Sequence, residues 1–358
     1  MINVTKTLLP PLAEYVAQLE RVWQSGQVTN NGPLVRELEV RLAEYLGVRH
    51  VVYVANGTLG LQLAISAMGV KRKVITTPFS YVATTGALLW EHCTPVFVDI
   101  DPHTLCLDPE RVEAAVDGET DAILAVHVYG HACDVEALGA IAARRGLRLI
   151  YDAAHAFGTR LEDGAVAAWG DMSVLSFHAT KLFHTVEGGA IVTASDDWAR
   201  QLRLRRAFGH VGDEHHGVGI NAKGSELHAA MGLCMLPRIE EIIAQRRQLA
   251  ARYDMLLEGA ACTRPQPHPR TVRHNGAYYP VLLPSEATLL KALDKFAAAG
   301  IVPRRYFHPP LNRLPYRNGE RCPVAEDAAA RVMCLPMSHE LKATSQQQIA
   351  AILRSVLT

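Results

Sequence analysis

Leu175-Ser176-Phe177-His178-Ala179-Thr180-Lys181, followed by Glu187-Gly188-Gly189-Ala190, sets one lysine just beyond a short apolar run, among small and hydroxylic residues. A lysine at the end of a strand is ordinarily solvated. Its reading changes with a second segment upstream, Leu149-Ile150-Tyr151-Asp152-Ala153-Ala154-His155-Ala156-Phe157-Gly158, where another apolar run ends on an acid. A primary amine able to form a Schiff base, beside a carboxylate able to keep a ring nitrogen cationic, is what chemistry on pyridoxal phosphate (PLP) requires.

PLP withdraws electrons only while its ring nitrogen is protonated, so a carboxylate must sit against that nitrogen in a site largely closed to water. Asp152 is the candidate. Lys181 would hold the aldehyde, be displaced by an incoming amine, and then stand free beside the substrate carbon to move protons.

Outward from these segments, short Val- and Ile-rich runs alternate with longer amphipathic stretches, which reads as βαβ units around a mostly parallel sheet. The expected strands are 51–54, 74–77, 95–98, 122–126, 148–152, 173–177 and 190–193, seven in all. Helices are expected over 58–68, 109–116 and 135–145, with Asp108 and Asp134 as N-caps. Residues 225–257 read as one helical tract that Pro237 must end or bend. Past Gly259 the texture turns rich in proline, arginine and histidine. The division expected is therefore a large PLP-binding domain with an N-terminal arm over 1–259 and a small C-terminal α+β domain over 260–358. The latter would hold a strand at 277–283 and helices at 285–299 and about 345–356.

Lysine plus arginine equals aspartate plus glutamate at 36 each, so no general field draws in nucleic acid or an acidic membrane. The sixteen histidines form no cluster at metal-ligand spacing, and His215-His216 reads as a surface loop. Seven cysteines without a C-x-x-C pair point to reduced thiols in a cytoplasm. Neither a secretory signal nor an apolar run of bilayer length is present, so a membrane protein is not expected.

Directly after the first strand comes Ala55-Asn56-Gly57-Thr58-Leu59-Gly60. A helix N-terminus with small residues presents N–H groups and a positive dipole end to a phosphate; equally, Asn56 and Thr58 could simply cap a helix. Tyr81, after the strand at 74–77, could lie on a pyridine face or belong to the core. Asn56, Gly57, Thr58, Tyr81, Asp152 and Lys181 all follow C-terminal strand ends, the edge where open α/β sheets bind ligands.

With these residues assembled, the chain resembles the nucleotide-sugar aminotransferases of the DegT/StrS type, which belong to the fold type I PLP enzymes. The similarity runs almost the whole length. It takes in Val4-Thr5-Lys6, the stretch from Gln27 to Leu34, V-H-V-Y-G at 126–130 and Arg304-Arg305-Tyr306-Phe307-His308-Pro309-Pro310. Its most diagnostic pieces are Y-D-A-A-H-A-F-G at 151–158 and S-F-H-A-T-K at 176–181.

The resemblance implies that Gly57, Thr58 and Ser176 hold the phosphate, Tyr81 stacks on the ring, and Asp152 pairs with the ring nitrogen. His155, where many relatives have glutamine, would reach the phenolic oxygen, and Lys181 would be the Schiff-base lysine. It further implies a homodimer with shared sites, in which Asn221 or Lys223 reaches across to the partner; read alone, Lys223 is a solvated helix-start residue. Gly224 departs from the methionine usual among relatives, and a glycine there adds backbone freedom. Lys181 argues against the related branch that dehydrates sugars with a histidine at this position. His178 and His184 read as structural or substrate-lining, and Glu187 as fixing the loop beneath the lysine and facing substrate. Asn31, Arg304, Arg305, Tyr306 and His308 fall where relatives contact the nucleotide sugar, although arginines at a domain edge are also commonly solvated.

The activity implied is transamination, with L-glutamate as donor, of a nucleotide-linked keto-6-deoxyhexose to an amino sugar, as in lipopolysaccharide O-antigen supply. C4 of dTDP-4-keto-6-deoxyglucose is the first expectation and C3 amination of a dTDP-3-keto sugar the alternative. Two rivals are a PLP-binding regulatory protein on the same fold and a dinucleotide-dependent oxidoreductase. No G-x-G-x-x-G follows the first strand, which counts against the latter.

Overall fold

The computed structural model describes residues 1–357. Its centre is a seven-stranded sheet of β1 (His50–Val54), β2 (Lys73–Thr76), β3 (Thr94–Phe97), β4 (Thr120–Val126), β5 (Arg148–Asp152), β6 (Met172–Ser176) and β7 (Gly189–Thr193). The spatial order is β1-β7-β6-β5-β4-β2-β3. β7 runs antiparallel to both of its neighbours, while the other pairings are parallel. The expected strands are therefore present, displaced by a residue or two at their ends, in a sheet that is mostly parallel.

Alternation along each strand divides the core. Val51, Tyr53, Ile75, Ile123, Tyr151 and Leu175 pack on one face. Val52, Val54, Val74, Leu124, Ile150 and Val174 pack on the other. Both faces are covered, which is why these strands read as nearly continuous apolar runs. The anticipated caps form: Asp108 accepts from the N–H groups of Glu110 and Arg111, and Asp134 from that of Ala137. The tract from 225 is a helix Glu226–Met235, a 3-10 turn Leu236–Arg238 around Pro237, and a helix Ile239–Leu256.

A third apolar cluster joins Leu249, Tyr253 and Leu257 to Val281, Leu289, Phe296, Met333, Leu335 and Leu353. Here Tyr279–Leu282 pairs with Val332–Leu335, a strand the sequence reading did not assign. The N-terminal residues do more than form an arm. Ile2–Asn3 pairs in parallel with Ile301–Val302, and two helices follow, Leu12–Ser25 and Pro33–Leu46.

The start of the helix Pro33–Leu46 has no local side-chain cap. Its free N–H groups are met by a remote carboxylate: Glu226, buried, accepts from Leu34 N–H at 2.7 Å and Val35 N–H at 3.0 Å. The negative charge also suits the positive end of the helix dipole. Gly32 is required by this approach, because a Cβ there would lie 2.5 Å from the Glu226 carboxyl carbon.

Replacing Glu226 by alanine orphans both donors. The loss expected in urea denaturation is roughly 2–4 kcal/mol, with Glu226→Gln, which keeps one acceptor oxygen, losing about half as much.

Candidate active site

The C-terminal edge of the sheet opens into a cavity of about 820 Å³. Four strand ends furnish its chemistry. β1 runs into the turn before the helix Gly57–Ala67, where Asn56 Oδ1 accepts from Leu59 N–H at 2.9 Å and caps the helix. Gly57 and Thr58 occupy the first helical positions and line the cavity. Ser176, the last residue of β6, faces them: a Cβ on Gly57 would fall 3.2 Å from the Ser176 Cβ. The bland and the functional readings of this turn thus coexist, since Asn56 caps while the helix end stays open to an anion.

Asp152 closes β5 and is buried. Its oxygens accept from Thr84 Oγ1–H at 2.7 Å and Ala154 N–H at 3.1 Å. Burial pushes its carboxyl up, against the pull of these two donors and of the Lys181 charge. Lys181, on the loop after β6, has no side-chain hydrogen bond or ion pair among the described residues. Burial draws its ammonium down to about 8, with the Asp152 carboxylate pulling the other way.

His155 is buried between Phe307, stacked at 5.6 Å, and Tyr278 at 4.7 Å. Burial, reinforced by Lys181, holds its imidazole well below the ordinary value, so it is neutral. Its Nδ1 is buried with no partner among the described residues.

Tyr81 stands at the N-cap position of the helix Val82–Trp90 and projects, 57% exposed, at the cavity wall. Its exposure rules out the core reading. Arg304 and Tyr306 line the mouth, with the guanidinium 5.0 Å from the tyrosine ring centroid. His178 and Glu187 line the rim, and His178 Nε2 lies 3.6 Å from Glu187 Oε1. Because His178 Nδ1 accepts the Thr180 N–H, Nε2 carries the proton in the neutral ring and points it at the acid.

The remaining candidates lie outside the cavity. Asn31 Oδ1 accepts from Arg206, itself bound to Glu39, so Asn31 is tied into a buried ion-pair network. His308 is exposed, because Phe307 takes the inward position on this loop and the next residue turns away. Arg305 bonds Glu286 and the Ala330 carbonyl. His184 is structural: its Nδ1 accepts Val186 N–H and its Nε2–H reaches the Leu8 carbonyl at 2.6 Å. Lys223 donates to Asn221 at 2.7 Å and sits over the Phe208 ring, away from this chain's own cavity. Their segment nevertheless abuts the phosphate turn, through Ala55 N–H to the Ala222 carbonyl.

Gly224 has a different origin from the one expected. Its backbone is not left-handed; a Cβ there would fall 2.0 Å from Cε1 of Tyr53. Close approach to a buried ring, rather than backbone freedom, demands glycine. Gly188 meets the same ring from another side, its Cβ position 2.7 Å from Tyr53 Oη.

Sequence reasoning missed Thr84, Tyr278 and Phe307. For the two rings no signal existed, since an aromatic residue in an apolar run reads as core. The residues present fit PLP. A partnerless amine, a buried carboxylate, an orphaned ring nitrogen and an open helix N-terminus share one cavity, and a phosphorylated cationic heterocycle bearing an aldehyde and a phenolic oxygen answers all four.

The DegT/DnrJ/EryC1/StrS aminotransferase family model matches residues 12–354. A dTDP-4-amino-4,6-dideoxy-D-glucose transaminase of Shigella dysenteriae is 41% identical, covering 99% of this chain and 99% of the relative. One of the same name from Escherichia coli is 38% identical over 95% of this chain and 94% of its own. The crystal structure of DesI in the presence of its TDP-sugar product superposes with a TM-score of 0.94 at 37% identity, covering 100% of this chain and 93% of that one.

The lowered Lys181 value has a kinetic signature. Covalent capture of PLP by the cofactor-free protein, followed by absorbance, should rise about tenfold per pH unit and level off near pH 8. Asp152→Asn removes the charge that supports the ammonium, so the plateau should begin at lower pH. A rate still climbing at pH 10 would mean a solvated lysine.

Proposed function

This chain belongs to the DegT/DnrJ/EryC1/StrS aminotransferase family, and we propose that it moves an amino group from L-glutamate to C4 of dTDP-4-keto-6-deoxyglucose. It is an enzyme, and PLP is its cofactor. The observation that carries the proposal is the pairing, in one cavity, of the Lys181 amine, without a partner among the described residues, with the buried Asp152 carboxylate. The names of the Shigella and Escherichia relatives support the sugar and the position.

When bound, PLP supplies an electrophilic carbon for amine exchange and, with its ring nitrogen protonated, a sink for the electron pair left when a carbon-bound proton is removed. Gly57, Thr58 and Ser176 would hold the phosphate at the helix start, Tyr81 would cover one ring face, and His155 would meet the phenolic oxygen. Asp152 holds the ring nitrogen cationic. Lys181, whose ammonium burial draws down to about 8 before the cofactor binds, would take the proton from the donor's α carbon and later deliver one to the sugar carbon. Glutamate takes up the oxygen of one water and leaves as its 2-oxo acid, and the ketone oxygen leaves as water, so no net water is used. At the mouth, Arg304 and Tyr306 receive the diphosphate and nucleoside, while His178 and Glu187 present a donor and an acceptor to sugar hydroxyls.

The reading extends to the assembly and the setting. Residues 1–259 form the PLP-binding domain and 260–358 the small domain, of which Thr358 lies outside the described residues. Two copies pair, and Asn221 or Lys223 of each completes the other's site. No helix among the described residues is long and apolar enough to cross a membrane. The enzyme works in the cytoplasm and makes an amino sugar for lipopolysaccharide O-antigen.

Two experiments test this. A panel of 3-keto and 4-keto sugar nucleotides with glutamate, analysed by mass and proton NMR, should give a 4-amino product from the dTDP-4-keto sugar. A 3-amino product would move the assignment to C3, and no turnover with any pair would leave a PLP-binding regulator. Shared sites predict complementation: Lys181→Ala and a double Asn221→Ala, Lys223→Ala variant, each deficient alone, should regain up to about a quarter of wild-type activity when unfolded and refolded together, because random pairing makes half the dimers mixed and each mixed dimer has one intact site.

A further inference from the structure

The carboxylate of Asp152 is held from behind by a chain of two hydroxyls that begins at the cavity wall. Thr84 Oγ1–H donates to Asp152 Oδ2 at 2.7 Å. Thr84 has one hydroxyl proton, so the 2.7 Å contact between Ser80 Oγ and Thr84 Oγ1 is donated by Ser80. The chain therefore has a direction: Ser80 to Thr84 to Asp152. Thr84 is fully buried and Ser80 nearly so, yet Ser80 lines the cavity.

The arrangement departs from what a threonine in a first helical turn ordinarily does. Such hydroxyls bond a carbonyl of their own helix or cap its N–H groups. Here the Thr84 hydroxyl, in the helix Val82–Trp90, instead reaches a carboxylate 68 residues away in sequence. The branched Cβ restricts its rotamers, and Ser80, one helical turn earlier, fixes the orientation of its hydrogen. Donor chains of this kind strengthen each other in a low-dielectric site.

Each oxygen of Asp152 now receives a hydrogen, Oδ2 from Thr84 and Oδ1 from the Ala154 N–H at 3.1 Å. Donors aimed at both oxygens oppose a proton on either. We propose that Ser80 and Thr84 are positioning residues that keep the proton shared by Asp152 and the PLP ring nitrogen on the nitrogen. This rests on the assignment of Asp152 to that nitrogen.

The test uses holoenzyme loaded with PLP labelled with ¹⁵N in the ring, whose chemical shift reports protonation across a pH series. Thr84→Val keeps the shape and removes the donor; the midpoint of nitrogen deprotonation should fall by about one pH unit, a tenfold change. Thr84→Ser should restore the wild-type midpoint, and Ser80→Ala should lower it by less than Thr84→Val. A Thr84→Val enzyme that melts earlier but titrates like wild type assigns Thr84 to packing alone and overturns the relay, as does failure of Thr84→Ser to restore it. Should Thr84→Val not yield folded protein, an unmoved midpoint in Ser80→Ala overturns it equally. Asp152→Asn should leave the nitrogen unprotonated at neutral pH. If it does not, the underlying placement of Asp152 is wrong, an outcome distinct from a relay failure.

Discussion

A carboxylate without solvent, at the end of the fifth strand, governs this molecule. An isolated anion in such a place is costly, and it persists only where donors and positive charge surround it. Asp152 has a hydroxyl, a backbone N–H and the charge of Lys181. The lysine's ammonium in turn is drawn down to about 8 by the same burial that pushes the acid up. The two groups are adjusted to each other through a shared cavity, and the sheet serves to set their strand ends side by side in a fixed register, with Asp152 opposite Val174.

Most of this scaffold could be read from the chain because its signals are local. β5 and the helix Val135–Arg145 were expected with the bounds observed, since each is delimited by its own residues: Asp134 caps one end of the helix and the left-handed Gly146 the other. The N-terminal helices were not assigned. Pro11 gives Leu12–Ser25 no side-chain cap, and the cap of Pro33–Leu46 comes from Glu226, far along the chain. The strand Val332–Leu335 was hidden for a related reason, because it follows the helix Pro323–Arg331 without a break and its partner lies fifty residues back.

The site was legible to a similar degree. Residues at strand ends were found, because an open parallel sheet gathers them on one edge. Ser80 and Thr84 were not, since a serine and a threonine at a helix start look like caps. Asn31 and His308 sit elsewhere because stronger local claims take them, an arginine network for the first and the inward turn of Phe307 for the second. Gly224 shows the limit from another side. Nothing near it in sequence announces a tyrosine ring from the first strand, and it is the packing of that ring that leaves no room for a side chain there.

Residues 2–8 are bound at two separate places in the fold. Ile2 and Asn3 pair with Ile301 and Val302, while Thr7 and Leu8 bond Ala179 and His184 of the loop that carries Lys181. During synthesis on a ribosome, residues 2 and 3 must therefore wait, unpaired, until the strand at 301–302 emerges. The loop that carries Lys181 is fastened by that same segment, so the ordering of the candidate site is coupled to translation of the strand at 301–302.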